Sequence, residues 1–128
     1  MRRCLALLLL LAAASSARLD VPCSVVITLG SERLVLFEAE RLRVGLGAVR
    51  VQHETLDPEG GVVGCFRAHA RAAQWSLDEG CDRVLVMEDD VFFASDPSHG
   101  FEAANRVFDR GEDWDVVYLG YESFGLVK

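Results

Sequence analysis

Three adjacent carboxylates, Glu88, Asp89 and Asp90, follow directly on the apolar run Val84-Leu85-Val86-Met87. Side chains alternate along an extended chain, so Val84 and Val86 point to one face and Leu85 and Met87 to the other. Both faces are apolar, the pattern of a central parallel strand covered by helices. Parallel sheets bind ligands at the carboxyl ends of their strands, which is where these acids fall. If the chain stays extended, Glu88 and Asp90 share a side, roughly 7 Å apart, and Asp89 faces away. Carboxylates this close repel one another unless a cation or hydrogen-bond donors compensate, and an all-oxygen ligand set suits Mg2+ or Mn2+. The alternative is a solvated acidic strand end.

The elements that must position these acids alternate in type. Val25-Val26-Ile27-Thr28-Leu29 is β-branched and apolar, and Gly30-Ser31 then opens a helical segment in which Ser31 can cap and Leu34, Phe37 and Leu42 form the apolar side. Gly45 and Gly47 end it, and Val49-Arg50-Val51-Gln52-His53 alternates like a half-exposed strand. After the loop signal Asp57-Pro58-Glu59-Gly60-Gly61, the residues Val62, Phe66, Ala70, Ala73 and Leu77 make a stripe at helical period, closed by Gly80. That helix leads into the acid-ended strand. Beyond Asp96-Pro97-Ser98, the positions of Phe101, Ala104, Val107 and Phe108 predict a shorter amphipathic helix, and Trp114-Asp115-Val116-Val117-Tyr118-Leu119-Gly120 predicts a further strand. The order is β-α-β-α-β-α-β, that of an α/β protein. His69 sits at the edge of the second helix's stripe and fits a buried structural histidine as well as a ligand-facing one. Trp75 and Trp114 adjoin apolar patterns and read as core or rim aromatics.

Composition bounds the class. The 128 residues are 51% hydrophobic and 26% charged, which fits one folded domain and argues against disorder. Met1-Arg2-Arg3-Cys4, the apolar run Leu5 to Leu11 and Ala12-Ala13-Ala14-Ser15-Ser16-Ala17 have the basic, apolar and small-residue regions of a secretory signal, cleaved near Ala17. The apolar run is too short to span a bilayer. Loss of Arg2 and Arg3 takes the formal charge from −7 to −9, and the remaining arginines are dispersed among acids, so nucleic acid is excluded as an expected partner. Cys23, Cys65 and Cys81 remain in the mature chain without the close spacing of a zinc site. An oxidising compartment permits one disulfide, nothing in the sequence selects its pair, and Cys65 and Cys81 read best as small buried thiols.

Four blocks, taken in order, carry a resemblance: Ile27-Thr28-Leu29 with Ser31-Glu32-Arg33, Gly64-Cys65-Phe66-Arg67-Ala68-His69, Leu85-Val86-Met87-Glu88-Asp89-Asp90-Val91, and Trp114 to Gly120. Together they resemble glycosyltransferase family 25, which includes lipooligosaccharide and procollagen galactosyltransferases. The resemblance covers most of the mature chain. One motif departs from it, since the family usually has Ser before the His of the Gly-Cys block and this chain has Ala68.

The resemblance implies a GT-A-like open, mostly parallel sheet flanked by helices. It further implies a UDP-hexose donor, galactose most commonly, a protein or glycan acceptor hydroxyl, inversion at the sugar carbon, and Mn2+ or Mg2+ as cofactor. Asp90 is then the expected direct metal ligand, with Glu88 on the ribose or the metal, Asp89 supporting donor binding and His69 a weaker donor-side residue. Family domains continue past the position of Lys128 through another strand and helix, so residues 18–128 are expected to be a partial domain and the catalytic base to lie beyond Lys128. Localisation in the endoplasmic reticulum or Golgi lumen follows from the signal. A non-catalytic secreted fragment of such a transferase is the alternative. A remote one is a phosphorelay receiver, whose first strand also ends in an acidic pair.

Overall fold

The computed structural model of the chain describes residues 17–30 and 32–120. The expected leader, apart from Ala17, and the Ser31 cap lie outside the described residues. The elements run β1 (Cys23–Thr28), α1 (Glu32–Arg43), β2 (Arg50–His53), α2 (Gly61–Asp78), β3 (Val84–Glu88) and α3 (Ser98–Asp109). The strands form one parallel sheet in the order β2-β1-β3. This is an α/β architecture with a small open sheet, compatible with part of a larger α/β domain.

β1 is the central strand, and its sequence explains why. Val25 and Val26 are fully buried, one on each face, and each contributes roughly 1.5–3 kcal/mol relative to exposure. On one face Val25 and Ile27 pack with Ala68 and Ala72 of α2, joined by Trp75, Val84 and Val86. On the other, Val26 and Met87 pack with Phe37 of α1 and Leu46, joined by Leu34, Leu85, Val91 and Phe93. The two helices cover opposite faces, as right-handed crossovers require when the first runs from β1 to β2 and the second runs back from β2 across β1 to β3. β3, expected at the centre, lies at an edge of the described sheet.

Helix α2 turns a different side inward from the one its large apolar residues suggest. Ala68, Ala72 and Ser76 are its buried row, while Val62, Phe66 and Leu77 are 87, 73 and 68% exposed. Positions 66 and 68 lie about 200° apart around a helix, so the two rows are nearly opposite. Small residues win because they let the helix approach β1 closely. Leu42 of α1 is likewise exposed, whereas the α3 face of Phe101 and Ala104 is buried as its spacing predicts. In β2 the buried residue is polar: Gln52 Nε2 donates to the Ala68 carbonyl (2.9 Å) and to Glu54 Oε1 (2.6 Å), replacing its lost water. Gly45 and Gly80 adopt φ of +71° and +73° just past α1 and α2, as helix-ending glycines do.

Residues 114–120 form no strand. A strand needs a neighbour for its N–H and C=O groups, and none takes up this segment. Trp114 instead stacks on Phe108 of α3 at 5.4 Å, and Val116 and Tyr118 stay exposed. Trp75 is a core-rim residue beneath Arg50, whose guanidinium lies 4.8 Å from the ring centre. No described helix is long and apolar enough to cross a membrane.

Cys23, opening β1, is disulfide-bonded to Cys81, three residues before β3. The bond ties the entrances of two neighbouring strands across 58 residues of sequence. Cys81 is thus not a buried thiol, and Cys65 is a free, exposed one. Cross-linking a loop of this length removes unfolded-state entropy and stabilises by about 2–4 kcal/mol. Urea unfolding with and without reductant should therefore show a loss of that size, reproduced by Cys23→Ser with Cys81→Ser.

Candidate functional site

A cleft of about 670 Å³ opens at the carboxyl ends of the three strands. β1 supplies Ile27 and Thr28, the segment after β2 supplies Glu54 to Asp57, α2 supplies Gly61, Cys65 and His69, and β3 supplies Glu88. It lies between the connection that leaves β1 toward α1 and the one that leaves β2 toward α2 on the opposite face, a usual kind of ligand crevice in open parallel sheets. Gly60 precedes α2 with no side-chain cap, and the first turn of that helix carries no acid. Its N-terminal N–H groups, with their partial positive charge, lie beside the cleft wall formed by Gly61 and Gly64.

Strand period dictates where Glu88 goes. Val84 and Val86 face α2, so Glu88, two residues on, faces α2 as well. There it meets one turn of helix carrying Cys65 and His69. Cys65 Sγ lies 3.6 Å from His69 Nδ1 and 3.8 Å from Glu88 Oε1. His69 Nδ1 is also 2.9 Å from the Cys65 carbonyl oxygen. A carbonyl only accepts, so Nδ1 carries a hydrogen and cannot take the thiol's proton. Burial and the Glu88 carboxylate both push the Cys65 thiol up from its ordinary pKa. A thiol held in this way is not an activated nucleophile.

Asp89 faces the other way, toward α1, and is buried. Its Oδ2 accepts the Thr28 hydroxyl at 2.6 Å, and its N–H donates to the Ile27 carbonyl. The Gly30 carbonyl competes for that hydroxyl hydrogen at 2.5 Å, but the charged carboxylate is the stronger acceptor. β3 ends at Glu88, so the chain turns at Asp89 and Asp90 instead of continuing extended. Asp90 consequently does not join Glu88. It lies on the outer side with Arg33, Glu40 and Phe92, with Oδ2 3.6 Å from Arg33 Nη1. Arg33 also reaches Asp89 Oδ1 at 3.5 Å, so one guanidinium offsets two of the three acids.

Three acids that precede α2, namely Glu54, Asp57 and Glu59, are tied to arginines of that helix. Arg67 bonds both oxygens of Asp57 (3.1 and 2.9 Å) and Glu59, and Arg71 holds both oxygens of Glu54. The backbone N–H of Glu59 and the Arg67 guanidinium hold the Asp57 carboxyl below its ordinary pKa, and Arg71 does the same to Glu54. Both are therefore ionised and weakly basic. On the outer side Glu40 accepts from Arg43 and from the Phe93 N–H at 2.8 Å, and Arg43 donates to the carbonyls of Phe93, Ala94 and Ser95. This pair, buried on the Glu40 side, fixes the segment that follows the acids.

A hard cation needs several oxygens on one side. Of the acidic triplet, Glu88 alone faces α2; Asp89 is committed to Thr28 and Arg33, and Asp90 lines the outer surface. Among the described residues, the group whose ligand atoms converge is Cys65, His69 and Glu88, all within 4.8 Å of one another. Arrangement of the triplet as found thus does not close an all-oxygen site. Of the residues that sequence reasoning named for the site, Glu88, Asp89 and His69 line the cleft and Asp90 does not, and that reasoning did not include Cys65, Thr28 or Arg33. The spacing of Cys65 and His69, four apart and hence on one helical face, was the available signal for the first.

Gly64 marks how tightly the cleft wall is built. A Cβ there would sit 2.9 Å from the Asp57 Cβ. Overpacking of this kind costs about 1–3 kcal/mol, against a gain of up to about 1 kcal/mol in helix propensity. Gly64→Ala should therefore destabilise the fold by about 1 kcal/mol in urea unfolding. Gly100→Ala on α3, where nothing lies within 4 Å, should instead be neutral or stabilising.

Comparison with protein-family models, with curated proteins and with solved structures gave no match to the chain.

Proposed function

We propose that the cleft is the donor site of a hexosyltransferase similar to glycosyltransferase family 25. In this reading it takes a UDP-hexose, galactose first, and passes the sugar to a protein or glycan hydroxyl with inversion. The observation that carries the reading is the juxtaposition of Glu88, at the carboxyl end of a parallel strand, with the start of α2, which has no side-chain cap and no acid among its own first-turn residues and beside which Arg67 offsets Asp57 and Glu59, across a cleft of about 670 Å³. A diphosphate suits the partial positive charge of such a helix start. Glu88 is placed to accept from a ribose hydroxyl or to share a cation. When bound, a divalent cation supplies Lewis-acid stabilisation of the departing diphosphate. Recruitment of Asp90, the ligand that the resemblance assigns, requires the Asp89-Asp90 turn to release Arg33 and reorient. The Cys23–Cys81 disulfide supports passage through the secretory pathway, because such bonds persist in oxidising compartments.

A second reading, donor binding without transfer, is favoured by one observation. Glu54 and Asp57, acids that line the cleft, are both held ionised by arginines and make poor general bases.

Titration calorimetry with UDP tests the proposal. Binding should require Mn2+ or Mg2+, and both Glu88→Ala and Asp90→Ala should weaken it at least about tenfold. Equal affinity in chelator, or no effect of either substitution, would contradict the donor-site reading. Release of labelled hexose to peptide or glycan acceptors separates a working transferase from the binding-only alternative.

A further inference from the structure

We propose that Cys65, His69 and Glu88 form a binding site for a borderline-soft divalent ion of the Zn2+ class, with a fourth position open to the cleft. The proposal does not rest on the hexosyltransferase reading. Its first support is distance. Zinc bonds of about 2.0–2.3 Å in a tetrahedron put neighbouring ligand atoms roughly 3.3–3.7 Å apart. Here the thiol sulfur lies 3.6 Å from the imidazole nitrogen and 3.8 Å from the carboxylate oxygen. Two edges of the triangle thus lie close to the spacing of a tetrahedral face, and all three ligand atoms lie within 4.8 Å of one another, so closing the third edge needs a side-chain shift of about 1 Å at most.

The donor set is the second support. One sulfur, one imidazole nitrogen and one carboxylate oxygen match zinc, whereas magnesium and manganese prefer oxygens throughout. Two ligands come from adjacent turns of α2 and the third from the end of β3, so rigid elements hold all three. Cys65 and Glu88 are exposed and His69 half-exposed, which leaves an entry path. None of the three has an arginine or lysine within ion-pairing distance among the described residues, in contrast to the cleft's Glu54, Asp57 and Asp89.

Ion binding exchanges bonds in a balanced way. The Cys65 thiol loses its proton to solvent as sulfur joins the metal. His69 moves its ring hydrogen from Nδ1 to Nε2, giving up the bond to the Cys65 carbonyl and freeing the Nδ1 lone pair. Glu88 binds as the carboxylate. The fourth position, facing the cleft, takes water or an oxygen of a ligand, as in zinc sites with three protein ligands.

The test uses the full chain with its disulfide intact and no nucleotide present, so its outcome is independent of the UDP titration. Zn2+ affinity is measured by competition with a chromophoric chelator, and Co2+ is substituted to read the thiolate-to-cobalt charge-transfer band. The band should appear with wild type and vanish in Cys65→Ser. Zn2+ affinity should fall at least about tenfold in Cys65→Ser, His69→Ala and Glu88→Gln, and hold in Glu102→Gln, an exposed acid on α3. Circular dichroism without metal reports whether each variant folds. Alkylation of Cys65 in the wild type gives a second readout that needs no variant, and Zn2+ should protect the thiol. Cobalt binding without the band, unchanged zinc affinity in Cys65→Ser, or equal alkylation with and without Zn2+ would overturn the site.

Discussion

Thr28, the last residue of β1, holds the carboxylate of Asp89 at 2.6 Å, and both side chains are buried. A buried carboxylate left without donors would cost several kcal/mol, so this contact must be kept wherever the two strands are paired. The Asp89 N–H donates to the neighbouring Ile27 carbonyl, extending the β1–β3 ladder by one bond beyond the last strand residue. Side chain and backbone together pin the first residue after β3. Everything else about the acidic triplet follows from that anchor: Glu88, before it, keeps the strand's alternation and turns to α2, and Asp90, after it, is released into a turn and turns out.

Charge is distributed around the anchor so that repulsion is limited. Arg33, from the start of α1, lies between Asp89 and Asp90. Glu40 and Arg43, one turn apart on the same helix, hold the segment after the turn through the carbonyls of Phe93 to Ser95. Three acids that read as neighbours along the chain therefore occupy three environments. Glu88 sits beside a thiol and an imidazole, Asp89 beside a hydroxyl and a guanidinium, and Asp90 at the surface. Local sequence density of carboxylates is a poor guide to the ligand set of a site when a strand ends within the run.

Much of the frame was legible in the sequence. The three strands and three helices over Cys23 to Asp109 fall close to where apolar period, glycines and turn signals put them, and the parity that sends Glu88 away from Asp89 is already in Val84 to Met87. Faces were harder to read than elements. Helix α2 has two candidate rows, and the larger residues Val62, Phe66 and Leu77 carry the stronger hydrophobic signal, yet Ala68, Ala72 and Ser76 lie against the sheet because close approach favours small side chains. Gln52 outranks Val51 for the same edge strand because α2 presents the Ala68 carbonyl to it, a partner that no local pattern announces. The Cys23–Cys81 pairing depends on two strand entrances being adjacent, and Cys65 depends on β3 delivering Glu88 to it; both are facts of topology. Trp114 to Leu119 has the composition of a strand but pairs with neither open edge of the described sheet, which composition alone cannot tell.

The account stands on the Thr28–Asp89 contact, and a double-mutant cycle measures it directly. Thr28→Val, Asp89→Asn and the double variant are unfolded in urea alongside the wild type. A buried hydroxyl-to-carboxylate bond predicts a coupling energy of about 1.5–3 kcal/mol, the two single losses overlapping in the double variant. Additive losses, with coupling within about 0.3–0.5 kcal/mol of zero, would mean that the two side chains do not meet. The partition of the acidic triplet into cleft, anchor and surface would then fail.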